Sequence, residues 1–149
     1  MDQRLTSTWW MLRIALGLAP LLAGLDKFFN LLTSWTDYLN PTILERVPLD
    51  ADVLMRGIGV IEILVGVAIL TRWTKWGAYV AAVWLAAIAV NLVTMGRFYD
   101  VAVRDLLLAV SALALARITA VREEARVRVA VADTAWEPAP KGGILSLNL

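Results

Sequence analysis

The chain has 149 residues, 60% of them hydrophobic, and its 14 basic residues against 13 acidic ones leave a formal charge of +1. With a mean hydropathy of +0.69, this describes a single membrane domain, not a soluble core, and so small and dispersed a charge excludes nucleic acid as a partner. There is no histidine and no cysteine, which excludes histidine-held haem, iron–sulfur clusters, the usual zinc sites, disulfides and thiol chemistry within this chain. No metal and no intrinsic cofactor is expected, so a redox role would need a diffusible molecule such as a quinone, or a partner that carries the cofactor. Serine and lysine show no spacing that pairs a nucleophile with a base.

A short polar segment leads into Trp9 and Trp10, which read as interfacial anchors. The first span is predicted over 9–29. Arg13 interrupts what could otherwise pass for the apolar region of a signal peptide, so a retained span is expected, with Arg13 snorkelling to the inner surface. Arg13, Gly17, Pro20, Gly24 and Lys27 recur at helical spacing and make one face small or charged, while Pro20 should kink the helix. The connection 30–52 mixes Leu31, Leu32, Trp35, Leu39, Ile43 and Leu44 with Asp37, Glu45 and Arg46, and Pro41 and Pro48 break it. One or two interfacial helical turns on the outer surface are expected.

The second span, 53–70, is the one around which the others are organised. It carries Glu62 about 13 Å along its axis, too deep to reach water, and an acid at that depth is a functional-site candidate by default. Gly59, Glu62 and Gly66 share a face without bulk, so another helix can approach there and the carboxylate should face protein. A basic, aromatic turn with Arg72, Trp73, Lys75 and Trp76 follows, its tryptophans again reading as anchors. The third span, 76–95, is rich in alanine, with Asn91 its strongly polar residue and Trp84 near its middle, where simple packing is expected. The fourth, 101–118, opens with Arg104 and Asp105.

The fold class is therefore an all-α integral membrane protein, a four-transmembrane-helix bundle occupying residues 1–120. Arg4, Arg72, Lys75, Arg117, Arg122, Arg126 and Arg128 fall on one side, and Arg46 and Arg97 with several acids, including Asp37, Glu45, Asp50 and Asp52, on the other. Both termini should accordingly be cytoplasmic, in a prokaryotic plasma membrane. Residues 121–149 read as a cytoplasmic tail: VREEARVRVAVAD as a short strand or helix end, TAWEPAPKGG as linker, and ILSLNL as a segment that rests on something.

Every helix contributes charge or amide to the outer half: Asp26 and Lys27, Arg56 and Glu62, Asn91, and Arg104 and Asp105. Adding Arg97 and Asp100 from the outer turn gives four bases and four acids, as expected of an internally paired cluster, since an unpaired buried charge costs several kcal/mol. Asp100 and Arg104 stand in favourable order for a helical pair. For Glu62, Lys27 is the expected cation: Arg56 lies about 120° around the same helix and roughly 9 Å along it, whereas Lys27 comes from the neighbouring span on a flexible stem. The cluster can act as a fastener between helices, as the lining of a pocket for a quinone or bound lipid, or as a proton or ion path.

The pattern resembles the DoxX-like family of small prokaryotic membrane proteins. The matching residues are LRIALGLAPLLAGLDKF, with Arg13 and then Gly24 and Lys27; GVIEILVGVAILT, with Glu62 at the mid-helix acid; and a fourth helix that starts with acid. The likeness covers residues 9–117. It implies a four-helix bundle associated with redox chemistry, since relatives include a subunit of a thiosulfate:quinone oxidoreductase and others accompany enzymes of thiol or superoxide defence. Arg104-Asp105 stands where many relatives carry Glu, and the tail lies outside the family core.

Two functions follow as expectations. One is an accessory subunit, docked through small-residue faces and the tail onto a larger electron-transfer complex of other membrane subunits. The other is a membrane oxidoreductase that passes electrons to quinone through Lys27, Glu62 and Asp105.

Overall fold

The computed structural model describes residues 3–135, and the segments read as linker and terminal apolar run lie outside them except for 134–135. The described chain forms α1 (Gln3–Asp26), a single 3-10 turn (Trp35–Tyr38), α2 (Pro41–Arg46), α3 (Ala51–Leu70), α4 (Thr74–Thr94) and α5 (Tyr99–Ala135). It is all-α with four main helices. α1, α3 and α4 are long and apolar enough to cross a membrane. α5 carries Arg104, Asp105 and Arg117 in its apolar stretch, and it falls outside that set although it packs along α4 as a bundle member.

The connections follow local chemistry. Asn30 ends the first helical segment with φ +52°, a left-handed conformation that asparagine tolerates. Asn40 caps α2 by accepting from the Thr42 amide at 3.0 Å, with Pro41 in the first turn. These are the short helical pieces that the connection 30–52 contains.

α1 and α3 pack along their length, as do α4 and α5, and the two pairs join more lightly. The α1–α3 seam is the glycine stripe. A Cβ on Gly24 would lie 2.5 Å from the Gly59 carbonyl oxygen, and one on Gly66 would lie 2.7 Å from that of Gly17. Backbone contacts that close need glycine on both sides. Toward the end that carries the α3–α4 turn, called the inner end for reference, Trp9, Leu16, Val65, Ile69, Ala78, Ala81, Ala112, Leu115 and Ala116 form a continuous core. Leu22, Leu64, Val83, Val90, Leu107 and Val110 point outward, as lipid-facing residues do.

Three expectations are corrected here. α5 does not stop near Ile118, and the alternating segment is not a strand: with no glycine or proline between Tyr99 and Ala135, and with Ala, Glu and Arg favouring helix, the helix propagates through it. Nor does the bundle end at residue 120, because Arg122 donates to the Thr6 hydroxyl at 3.3 Å and Glu123 pairs with Lys75. Trp9 is not an interfacial anchor. It is 8% exposed and donates its indole N–H to Thr119 Oγ1 at 2.8 Å, whereas Trp10, Trp73 and Trp76 are exposed as anchors are.

Arg13 is half-buried, and its head lies at the α3–α4 turn. Its guanidinium donates to the carbonyls of Ile69 at 3.0 Å, Leu70 at 2.7 Å and Thr71. Those carbonyls close the C-terminal end of α3, where a cation is also favoured by the helix dipole. The Thr74 hydroxyl shares two of them, donating to Ile69 and Thr71, both at 2.9 Å.

Candidate functional site

Lys27 lies one residue beyond α1, its amide still donating to the Ala23 carbonyl at 3.2 Å. Because Gly59 has no side chain, the Lys27 stem passes across α3; a Cβ on Gly59 would sit 3.1 Å from Lys27 Cβ. Its Nζ reaches Glu62 Oε2 at 2.6 Å, with both side chains nearly buried. The glycine stripe thus does two things: it brings α1 and α3 together, and it leaves the channel through which the ammonium meets the central acid.

Asp26 belongs to a different device. Its carboxylate accepts from the Leu31 and Leu32 amides, both at 3.0 Å, and from the Trp35 indole at 2.8 Å. This folds the outer loop back over the helix end and sets the Trp35 ring over Lys27, with Nζ 3.6 Å from the ring centroid. One face of the ammonium meets a carboxylate and another an aromatic ring. Asn91, on α4, donates to the Tyr38 carbonyl at 3.3 Å and holds the other end of the loop.

Arg104 Nε bonds Asp105 Oδ1 at 3.2 Å, the acid buried and the arginine side chain 63% exposed. The recorded partner of Arg104 is therefore its neighbour and not Asp100. Arg56 is exposed and is not among the residues lining the central cavity, in keeping with its position around the helix. Arg97 lies over the Phe98 ring. The expected cluster of eight charges resolves into two ion pairs, Lys27–Glu62 and Arg104–Asp105, with Asp26 serving the loop.

Between the α1–α3 and α4–α5 pairs lies a cavity of about 740 Å³, lined by Lys27, Glu62, Trp84, Asn91, Arg104, Asp105, Trp35, Tyr38 and many aliphatic side chains. That is the size of a small-molecule site, mostly apolar with a few convergent polar groups. Trp84 stands on the wall of this cavity. Its buried indole N–H meets no acceptor at hydrogen-bonding geometry among the described residues, and Glu62 is the acceptor near enough to draw it. Sequence reading gave Trp84 as packing and Trp35 as an apolar loop residue, and named neither as part of the cavity. The available signal was the spacing of Trp84 and Asn91, seven residues apart and hence on one face of α4.

The side chains present can hold charge, donate hydrogen bonds and enclose an apolar molecule. A family model described as Methylamine utilisation protein MauE matches residues 5–104, more than half of the chain. That family lies within the DoxX-like membrane protein clan. The match takes in Lys27, Glu62, Trp84, Asn91 and Arg104 and ends just before Asp105. No curated relative and no solved structure matches the chain.

Proposed function

The chain belongs to the methylamine utilisation protein MauE family, a family of membrane proteins associated with the methylamine dehydrogenase redox system, and from that premise we propose that it is a non-catalytic accessory subunit. In this reading it docks onto other membrane components that mature such a dehydrogenase. It sits in a prokaryotic plasma membrane with both termini inside. The observation that carries the reading is α5. At about 1.5 Å per residue its 37 residues extend roughly 55 Å, against about 30 Å of hydrocarbon. Every residue of Glu124–Thr134 is exposed. Such a rod beyond the packed bundle offers Val127, Val129 and Val131 beside Arg126 and Arg128 to a partner, and it is accompanied by a sequence with no histidine or cysteine to hold a redox centre.

The test is purification of the full chain in mild detergent from a host that expresses the surrounding redox system. Dehydrogenase-maturation components should accompany the intact chain and be lost when it is cut after Glu123, while the bundle still melts cooperatively. A chain that purifies alone in both forms contradicts the reading. Cysteine introduced at Ser34 should label from outside and at Thr134 only from inside; outside labelling of Thr134 overturns the orientation.

The cavity beside the Lys27–Glu62 pair favours a second reading, an oxidoreductase that delivers electrons to quinone. Quinone-dependent turnover by the isolated chain would support it and count against the accessory role.

A further inference from the structure

We infer that the central cavity is a binding site for a neutral, lipid-soluble carbonyl compound, whose oxygen accepts a hydrogen bond from the Trp84 indole and a second from the Lys27 ammonium. Four observations meet here. First, the Trp84 N–H is buried on the cavity wall with no acceptor at hydrogen-bonding geometry, the nearby Glu62 carboxylate being held by Lys27, and a buried donor left unmade costs about as much as a lost hydrogen bond. An acceptor that comes and goes with a ligand fills that place. Second, Lys27 Nζ carries three protons and has one recorded hydrogen bond, to Glu62, so it has donor capacity to spare.

Third, the wall charges already cancel: Lys27 is paired with Glu62 and Arg104 with Asp105. A charged guest would leave one of these groups unmatched in a low-dielectric interior; a neutral one leaves both pairs intact. Fourth, the volume of about 740 Å³, at roughly 30 Å³ per water-sized group, holds some two dozen heavy atoms. The cavity wall includes Leu22, which is 57% exposed on the lipid-facing surface of α1, so a guest can enter sideways from hydrocarbon.

The shared chemistry is a carbonyl oxygen on an uncharged apolar body. Two membrane sources offer it: the ring carbonyl of a quinone and the ester carbonyl of an uncharged acylglycerol. The assignment goes beyond the accessory reading and does not depend on it, since partner capture tests one and ligand retention the other.

The test is made on the full chain in a maltoside detergent, which contains no carbonyl group. Bound molecules are extracted from the purified protein and identified by mass, and the stripped protein is titrated with two probes, a decyl-substituted benzoquinone and dioleoylglycerol. Wild-type protein should retain close to one neutral carbonyl compound per chain and rebind one of the probes. A borohydride-sensitive absorbance identifies a quinone, and fatty acids released by mild base identify an acylglycerol.

Trp84→Phe keeps the ring and removes the donor, so it should weaken rebinding roughly 3- to 10-fold with little change in melting temperature. Ala23→Phe, which places a ring on the cavity wall, should abolish it. Unchanged affinity in Trp84→Phe overturns the assignment. So does retention of charged phospholipid alone, or a wild-type protein that retains nothing and binds neither probe.

Discussion

The inner and outer halves of the bundle solve the problem of buried polarity in opposite ways. In the inner half three polar side chains end on fixed partners within the helices: Arg13 on the last carbonyls of α3, Trp9 on Thr119, and Thr119 in turn on the Leu115 carbonyl at 2.7 Å. The space between is filled by alanine, leucine and isoleucine. In the outer half two acid–base pairs, Lys27–Glu62 and Arg104–Asp105, stand around open volume, and the loop is drawn over them by Asp26 and Asn91. Polarity in the first half completes backbone and packing. In the second it surrounds a space that a molecule can occupy, which is why the functional reading rests there.

The contrast can be broken most severely at the seam common to both halves. Gly24→Leu places atoms where Gly59 oxygen and the Ile63 amide already lie, at 2.5 and 3.0 Å from the first added carbon, and neither is the end of a flexible side chain. A loss of about 3 kcal/mol is expected, read as a collapse of the melting temperature in detergent; a wild-type melt would mean that α1 and α3 are not in backbone contact.

Next comes the outer pair. Lys27→Met strands an acid, whereas Glu62→Gln leaves an amide that can still accept from the ammonium. The first should therefore cost about 1 to 3 kcal/mol more than the second, and equal melting points for the two would contradict the pairing. In the inner half, Arg13→Met removes bonds to the end of α3 and is expected to cost about 1.5 kcal/mol. Hydrogen exchange at the α3–α4 turn should accelerate with it while the cavity end stays protected. The smallest effect belongs to Trp9→Phe, about 1 kcal/mol from the lost Thr119 bond, with no change in ligand retention. A change in retention would show that the two halves are coupled.

Much of this arrangement could be read from residue spacing. The helices, the glycine stripe on α3 and its counterpart on α1, and the meeting of Lys27 with Glu62 all follow from periodicity and depth along a helix, which sequence carries directly. What was not legible depends on the third dimension. Nothing local distinguishes Trp9, which turns into the core, from Trp10, which does not; the choice is made by Thr119 on a helix 110 residues away. Asp26 looked like one more charge of a cluster because its partners are loop amides whose position depends on how the chain turns after Asn30. The length of α5 was obscured by alternating valines and charges that mimic a strand, although the absence of any helix breaker favoured continuation. Trp84 was read as packing because an unmet hydrogen bond has no sequence signature.

The central claim is that Lys27 and Glu62 stabilise each other inside the bundle, with neither charge tolerable there alone. A double-variant comparison of Lys27→Met, Glu62→Gln and the combined chain, all melted in the same detergent, tests it most directly. The expected result is that the combined variant regains much of the stability lost in Lys27→Met, because the stranded carboxylate is gone. A combined variant whose loss equals the sum of the two single losses would contradict the claim, since the two groups would then be acting independently.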